Sequence, residues 1–257
     1  MIELPSLREM LAAGVHFGHK RARWNPKMAP YIFATKNSVS IIDLEKTRIL
    51  LKQALEYIAR EISEGKTVVF VTSKRQARDV VKEAAISCEM PYVTEKWRGG
   101  TLTNWDVVAK NFKTLKNLQG QIAAPEFARL TNIEQNQIKE KAAKLERIFG
   151  GLSSLTKKPD ILFLIGAYDE KIALSEAKQV GVKIVALVDS NANPTDVDWP
   201  IPANDDATKA IKLLTETVAK TISENLPKKT AVEKNPNFKI QMSNEVQIPK
   251  SKFDISY

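Results

Sequence analysis

Three short runs limit what this chain can fold into: TVVFVTS from Thr67 to Ser73, ILFLIG from Ile161 to Gly166, and KIVALVD from Lys183 to Asp189. Each is almost wholly apolar and rich in β-branched or aromatic residues, with no alternation of polar positions. Each therefore reads as a strand buried on both faces. Such strands need cover on two sides, and helical patterns supply it. KRQARDVVKEAAISC follows the first run, and a helix from about Asp169 to Val180, stopped by Gly181, follows the second. After the third come PIPAND, a last short strand and turn, and the amphipathic DDATKAIKLLTETVAKTISENL. Pro91 opens a further short strand around Tyr92 and Val93. Strands alternating with helices imply right-handed crossovers, so the expected class is α/β with a mainly parallel sheet covered on both faces.

The flanking segments extend this frame. LPSLREMLAAG reads as a short helix with Ser6 as N-cap, Glu9 three residues on, and Gly14 as the stop. WNPKMAPY is a proline-punctuated loop, and YIFATKNSVSIID gives two short strands around a Lys36-Asn37-Ser38 turn. Leu44 to Ile62 is helical, with Leu55, Ile58 and Ile62 on one face, and ends at Gly65. From Asn104 to Ile148 the rhythm breaks. Val108, Phe112, Leu115 and Leu118 recur at helical spacing, and after a turn over Gly120 to Pro125 so do Ile138, Ala142, Leu145 and Ile148. Two such helices make an antiparallel hairpin, each about 30 Å long for some 20 residues. Its outer face carries Lys110, Lys113, Lys116, Lys139, Lys141, Lys144 and Arg147, placed to meet RNA or a neighbouring protein. The expected organisation is a discontinuous α/β domain over 1–103 and 150–226, a helical hairpin over 104–149 and a flexible basic tail over 227–257.

Charge points to the partner. The net charge is +9, which favours a polyanion. No apolar run approaches the roughly 20 residues that span a bilayer. Glu3 and Glu9 stand where a secretory signal would be basic. The single cysteine, Cys88, excludes an internal disulfide, fits a reducing compartment and reads as an inert small hydrophobe.

Catalysis is poorly supported. The loops after the first two core strands, TSKRQA and AYDEK, lack the glycine fingerprints that cradle nucleotide phosphates. Lys74 and Arg75 at a helix N-terminus are nevertheless placed to hold a phosphate. No Ser/His/Asp or Cys/His set is convincing. His16 and His19, three residues apart, are candidates for a structural divalent metal together with Asp189, Asp205 and Asp206, if their segment is helical. Asp205 and Asp206 more simply cap the final helix. No other cofactor is expected.

The stretch from Gly14 to Thr47 is the strongest candidate site. It holds both histidines, the cations Lys20, Arg21, Arg23, Lys27 and Lys36, and the aromatics Phe17, Trp24, Tyr31 and Phe33. Cations neutralise phosphates and rings offer faces to bases, although aromatics are more often core. WNPKMAPYIF is read as a clamp onto the sheet that leaves Lys20, Arg21, Arg23 and Lys27 facing phosphates. In KWRGGTLTN, Lys96 and Arg98 adjoin Gly99 and Gly100, where backbone can approach a phosphate with no Cβ in the way.

As a set, GVHFGH at 14–19, WNPKMAPYIF at 24–33, IIDLEKT at 41–47, WRGGTLTNW at 97–105, PDILFLIG at 159–166 and DWPIPANDDA at 198–207 resemble the family of small-subunit ribosomal protein S-two. The resemblance runs in order to about Leu226. It implies a flavodoxin-like or Rossmann-like domain carrying a coiled-coil hairpin. It also implies a structural rather than enzymatic role on the small subunit, in the cytoplasm or an organelle. Implied partners are small-subunit rRNA and neighbouring ribosomal proteins, including the large mRNA-binding protein S-one, with no membrane and no homo-oligomer. Contacts to RNA are then expected from Lys20, Arg21, Arg23, Lys27, Lys36, Lys74, Arg75, Lys96, Arg98, Lys110 and Lys113. Two departures stand out: Ala203 replaces the family's usual Gly, and KNSVSIID replaces its usual arginine-bearing turn. The rival reading is a flavodoxin-like nucleotide-binding enzyme or regulator.

Overall fold

The computed structural model describes residues 2–227, so the tail expected from residue 227 onward lies, beyond Pro227, outside the described residues. Helix α1 (Leu7–Ala13) begins as its sequence dictates. Ser6 accepts from the Glu9 N–H at 3.2 Å, Glu9 accepts from the Ser6 N–H at 2.8 Å, and Gly14 closes the helix at φ 78°. A small antiparallel sheet follows, made of β1 (Phe17–Lys20), β2 (Ile32–Lys36) and β3 (Val39–Ile42) in the order β1-β3-β2. Sequence reasoning placed β2 and β3 but not β1. The hairpin turn puts Asn37 and Ser38 at φ 50° and 64°, the left-handed pair that a two-residue hairpin requires. WNPKMAPY, expected as a loop, contains a 3-10 helix over Pro26–Tyr31 with Asn25 as its cap.

The main sheet has five strands: β4 (Val68–Val71), β5 (Tyr92–Val93), β6 (Ile161–Ile165), β7 (Lys183–Val188) and β8 (Trp199–Pro202). Their order is β5-β4-β6-β7-β8, and every pairing is parallel. This is the 2-1-3-4-5 arrangement of flavodoxin-like domains. Residues of β4, β6 and β7 are buried on both faces apart from Lys183.

Period-two alternation divides the core in two. Phe70, Phe163, Val185 and Ile201 belong to one cluster, packed with α2 (Leu44–Ser63), α3 (Arg78–Ser87), α7 (Thr208–Asn225) and Met10 of α1. Val71, Leu164, Ala186 and Val188 belong to the other, with α6 (Lys171–Val180), Met28 and the base of a helical pair. That pair is α4 (Trp105–Ala123) and α5 (Asn132–Phe149), and α4 runs straight through Gly120. Phe112 locks its base edge-on between Trp105 and Phe149, at ring distances of 5.8 and 5.9 Å. Thr131 and Glu134 form a capping box that starts α5. No helix among the described residues is long and apolar enough to cross a membrane.

Candidate nucleic-acid interface

The small sheet is fastened to the carboxyl edge of the main one. Gly18 of β1 lies so close to the loop after β7 that a Cβ there would stand 2.7 Å from Ser190 Oγ. The same hydroxyl accepts from the His19 N–H at 2.8 Å, and the Asn25 N–H donates to the Ser190 carbonyl at 2.7 Å. Asn204, just past β8, donates to the carbonyls of Val15 and Gly14 at 2.9 and 3.0 Å. β1 carries an extra residue between Phe17 and Lys20, which swings His19 inward.

His19 thereby reaches an ionic cluster at the switch point of the parallel sheet. Its Nδ1 lies 3.1 Å from Asp189 and its Nε2 lies 3.4 Å from Asp206. Lys74 enters from the end of β4. Its Nζ contacts Asp205 and lies 2.7 Å from Asp206 and 3.3 Å from Asp169. Gly166, at φ 91°, permits this, because a Cβ there would meet the Lys74 stem at 2.8 Å. Four carboxylates thus face one ammonium and one imidazole. The hydrogen bond to Asp189 raises the His19 pKa above its usual value, against some desolvation. Burial, then the neighbouring Asp189 carboxylate, pushes Asp205 up to about 7. Burial opposes the charge on Lys74, but Asp205 and Asp206 outweigh it and hold the ammonium protonated.

This geometry corrects several expectations. Lys74, expected at a phosphate, is instead paired with carboxylates, and its side chain is 9% exposed. Those carboxylates line the crevice where a nucleotide of a doubly wound sheet would sit, and they would repel its phosphates. Asp205 and Asp206 do not cap α7. Asn204 Oδ1 instead accepts from the Asp206 and Ala207 N–H groups, at 2.9 and 3.1 Å. His16 and His19 lie at a strand, not on a helix, and do not converge. His16 packs against Phe17, its ring tilted by 38° with centroids 4.0 Å apart, and desolvation lowers its pKa. Among the described residues, His19, Asp189 and Asp206 offer ligand atoms all within 4.8 Å of one another. Of the three expected carboxylates, Asp189 and Asp206 belong to this set and Asp205 does not; one Asp205 oxygen is buried without a hydrogen-bond partner.

The glycine loop differs too. Glu176 of α6 reaches in from beneath and accepts from the backbone N–H groups of Gly100 at 2.7 Å, Leu102 at 2.8 Å and Thr103 at 3.2 Å. Trp97 Nε1 donates to the same carboxylate at 3.4 Å. The anion held by these amides is the protein's own. The signal was present in the sequence, because Glu176 shares the buried face of α6 with Ala173 and Ala177.

The other expected contacts are exposed. Lys20, Arg21, Arg23, Lys27 and Lys36 sit on the small sheet and its turns, Arg75 on a 3-10 turn after β4, Lys96 and Arg98 before α4, and Lys110 and Lys113 on α4. Lys27 donates to Thr195 at 3.2 Å. The WNPKMAPYIF clamp is real for Met28, which is fully buried, and for Tyr31 and Ile32, which pack beside it. It is not real for Phe33, which is 76% exposed.

Comparison with known proteins adds an independent line. A family model described as Ribosomal protein S2 matches residues 10–225. The small ribosomal subunit protein uS2 of Dehalococcoides mccartyi strain 195 is 44% identical over 230 residues, covering 89% of this chain and 94% of its own length. The protein of the same name from Geotalea uraniireducens strain Rf4 is 45% identical over 219 residues, covering 85% and 86%. That of Shewanella piezotolerans strain WP3 is 45% identical over 214 residues, covering 83% and 88%.

Proposed function

Because the chain belongs to the ribosomal protein S2 family and so is a structural protein of the small ribosomal subunit, we propose that it binds small-subunit rRNA through the cations of its small sheet. The observation that carries this reading is a segregation of charge. Between Met10 and Ile42 there is no Asp or Glu, while Lys20, Arg21, Arg23 and Lys36 are exposed along it. Nearby, Asp189 and Asp205 are buried, and together with the partly exposed Asp206 and Asp169 they are paired with Lys74 and His19. Affinity then comes from phosphate neutralisation, and shape rather than base sequence is read. Lys96, Arg98, Lys110 and Lys113, exposed before and on α4, are further phosphate contacts in this reading. The hairpin also exposes Val107 and Ile133, apolar contacts for neighbouring ribosomal proteins, the large mRNA-binding protein among them.

The test is binding of the full chain to small-subunit rRNA across a salt series. The expected log K falls by roughly 0.7 to 0.9 per phosphate contacted for each tenfold rise in salt. Equal binding at low and high salt would sink the reading. A divalent ion between His19, Asp189 and Asp206 is a second proposal, supported by the excess of carboxylates there and by the unpartnered Asp205 oxygen.

A further inference from the structure

Helix α1 carries apolar side chains on two sides, where a surface helix needs one. Met10 faces the core and is fully buried. Leu7 and Leu11, four residues apart and so on one face, are 40% and 56% exposed. Helix α2 repeats the pattern. Leu51, Leu55 and Ile58 are buried in the core, yet Ile49 is 58% exposed. It shares an outer stripe of α2 with Glu45 and Lys52.

The two helices pack together. Leu4, Leu7 and Ile49 line a groove of about 280 Å³ there, rimmed by Glu45, Arg48 and Lys52. That is nearly twice the roughly 150 Å³ of a cavity that holds a benzene ring. The groove therefore has room for two large apolar side chains. It belongs to the helical layer over Phe70 and Phe163, whereas the base of the hairpin lies over the other face of the main sheet.

Chemistry and charge say what fills it. The walls are aliphatic, so an RNA base finds no ring to stack on. Arg8 on the outer side of α1 and Arg48 have no carboxylate partner among the described residues, and Lys52 has only the exposed Glu56 at 3.7 Å. The one acid on the rim, Glu45, stands in the first turn of α2, where the helix dipole favours it. Cations thus exceed acids, and the complementary partner is acidic. A two-fold contact with a second copy would set Arg8, Arg48 and Lys52 against the same cations.

Independently of the rRNA reading, we propose that this groove seats an acidic amphipathic helix of another small-subunit protein. Two of its large apolar side chains, three or four residues apart, enter between Leu7 and Ile49, and its carboxylates meet Arg48 and Lys52.

The experiment replaces Ile49 of the full chain with photoreactive benzoyl-phenylalanine, assembles the chain into small subunits, and identifies the cross-linked segment by mass spectrometry. The expected product joins position 49 to a protein helix with that apolar spacing and a surplus of Asp and Glu. A cross-link to rRNA, to a second copy of this chain or to a segment without that pattern overturns the proposal. So does the absence of any cross-link in subunits that contain the chain. The second measurement is fluorescence anisotropy with a synthetic helix that has leucines at i, i+3, i+4 and i+7 among glutamates. Ile49→Ser and Leu7→Ser, shown by thermal unfolding to fold, are expected to weaken its binding roughly 5- to 30-fold each. Arg48→Glu is expected to weaken it too, and to strengthen binding of the same helix with lysines in place of the glutamates. Serine variants that bind the acidic helix like the parent chain overturn the proposal. Serine variants that instead lose affinity for rRNA also overturn it, because RNA would then lie on the groove.

Discussion

The carboxylate of Glu176 accepts a hydrogen bond from the backbone N–H of Gly100 at 2.7 Å, across 76 positions of sequence. It ties α6 to the loop that launches the helical hairpin, and the Leu102 and Thr103 N–H groups and the Trp97 ring depend on the same group. Glu176→Ala leaves these buried and partly buried donors without an acceptor. The expected cost is about 2–4 kcal/mol in urea unfolding, and Glu176→Gln, which keeps one acceptor oxygen, costs about half as much. An alanine variant as stable as the parent would show that water replaces the carboxylate.

Gly18→Ala places a methyl 2.7 Å from Ser190 Oγ and 3.1 Å from the Ser40 carbonyl. The seam between the two sheets must open, at about 1–3 kcal/mol. In a Ser190→Gly background the same change is expected to cost less than half as much. A double-mutant cycle by thermal unfolding measures that coupling, and strict additivity would mean that the contact does not hold the seam.

Lys74→Ala strips the ammonium from Asp205, Asp206 and Asp169. With two of the three partners partly exposed, the loss is expected near the low end for a broken buried pair, about 3 kcal/mol. Its rRNA salt slope stays that of the parent, while Arg75→Ala lowers the slope by roughly 0.7 to 0.9. A lowered slope for the lysine variant would return Lys74 to the list of phosphate contacts.

The cluster also sets a pH dependence. A group whose folded pKa is raised stabilises the fold below its unfolded pKa, and that stabilisation is lost as pH rises through the folded value. His19 is raised from 6.5 and Asp205 from 3.8 to about 7, so both work in the same direction. His16, lowered by desolvation, works the other way on the acid side. The urea midpoint is therefore expected to fall from pH 6 to pH 8, and less steeply in Asp205→Asn and His19→Gln. At pH 8, zinc or manganese is expected to raise it again by replacing the His19 proton. No shift with either ion would remove the metal proposal.

What could be read from the sequence follows from how local each cause is. The buried strands, the Ser6 and Gly14 stops, and the two hairpin helices announce themselves through short-range pattern, although α4 continues through Gly120 to Ala123 and α5 begins only at Asn132. β1 does not, because FGHK has no apolar alternation and becomes a strand only by pairing with β3. The ionic cluster was half visible. Asp189, Asp205, Asp206 and Lys74 were all marked, yet nothing in their spacing says that Lys74 lies against Asp205, 131 positions away. Phe33 was misassigned because residue type alone cannot reveal the bulge between Ile32 and Ala34, and that bulge turns the ring outward.

The hairpin has a consequence for the order of events when the chain folds. β4 and β6 lie side by side at the centre of the sheet, yet the Thr67 N–H donates to Asp160 across 93 positions. Closing so long a loop is an entropic obstacle that an unstructured connection would impose in full. α4 and α5 are neighbours in sequence and can zip early, and their ends meet where Phe149 touches Phe112 at 5.9 Å. Once zipped, they remove nearly half of that loop, which lowers the closure cost by about 0.6 kcal/mol and brings the two central strands within reach of each other. The arm is then a splint for the seam of the sheet before it is a surface for any partner.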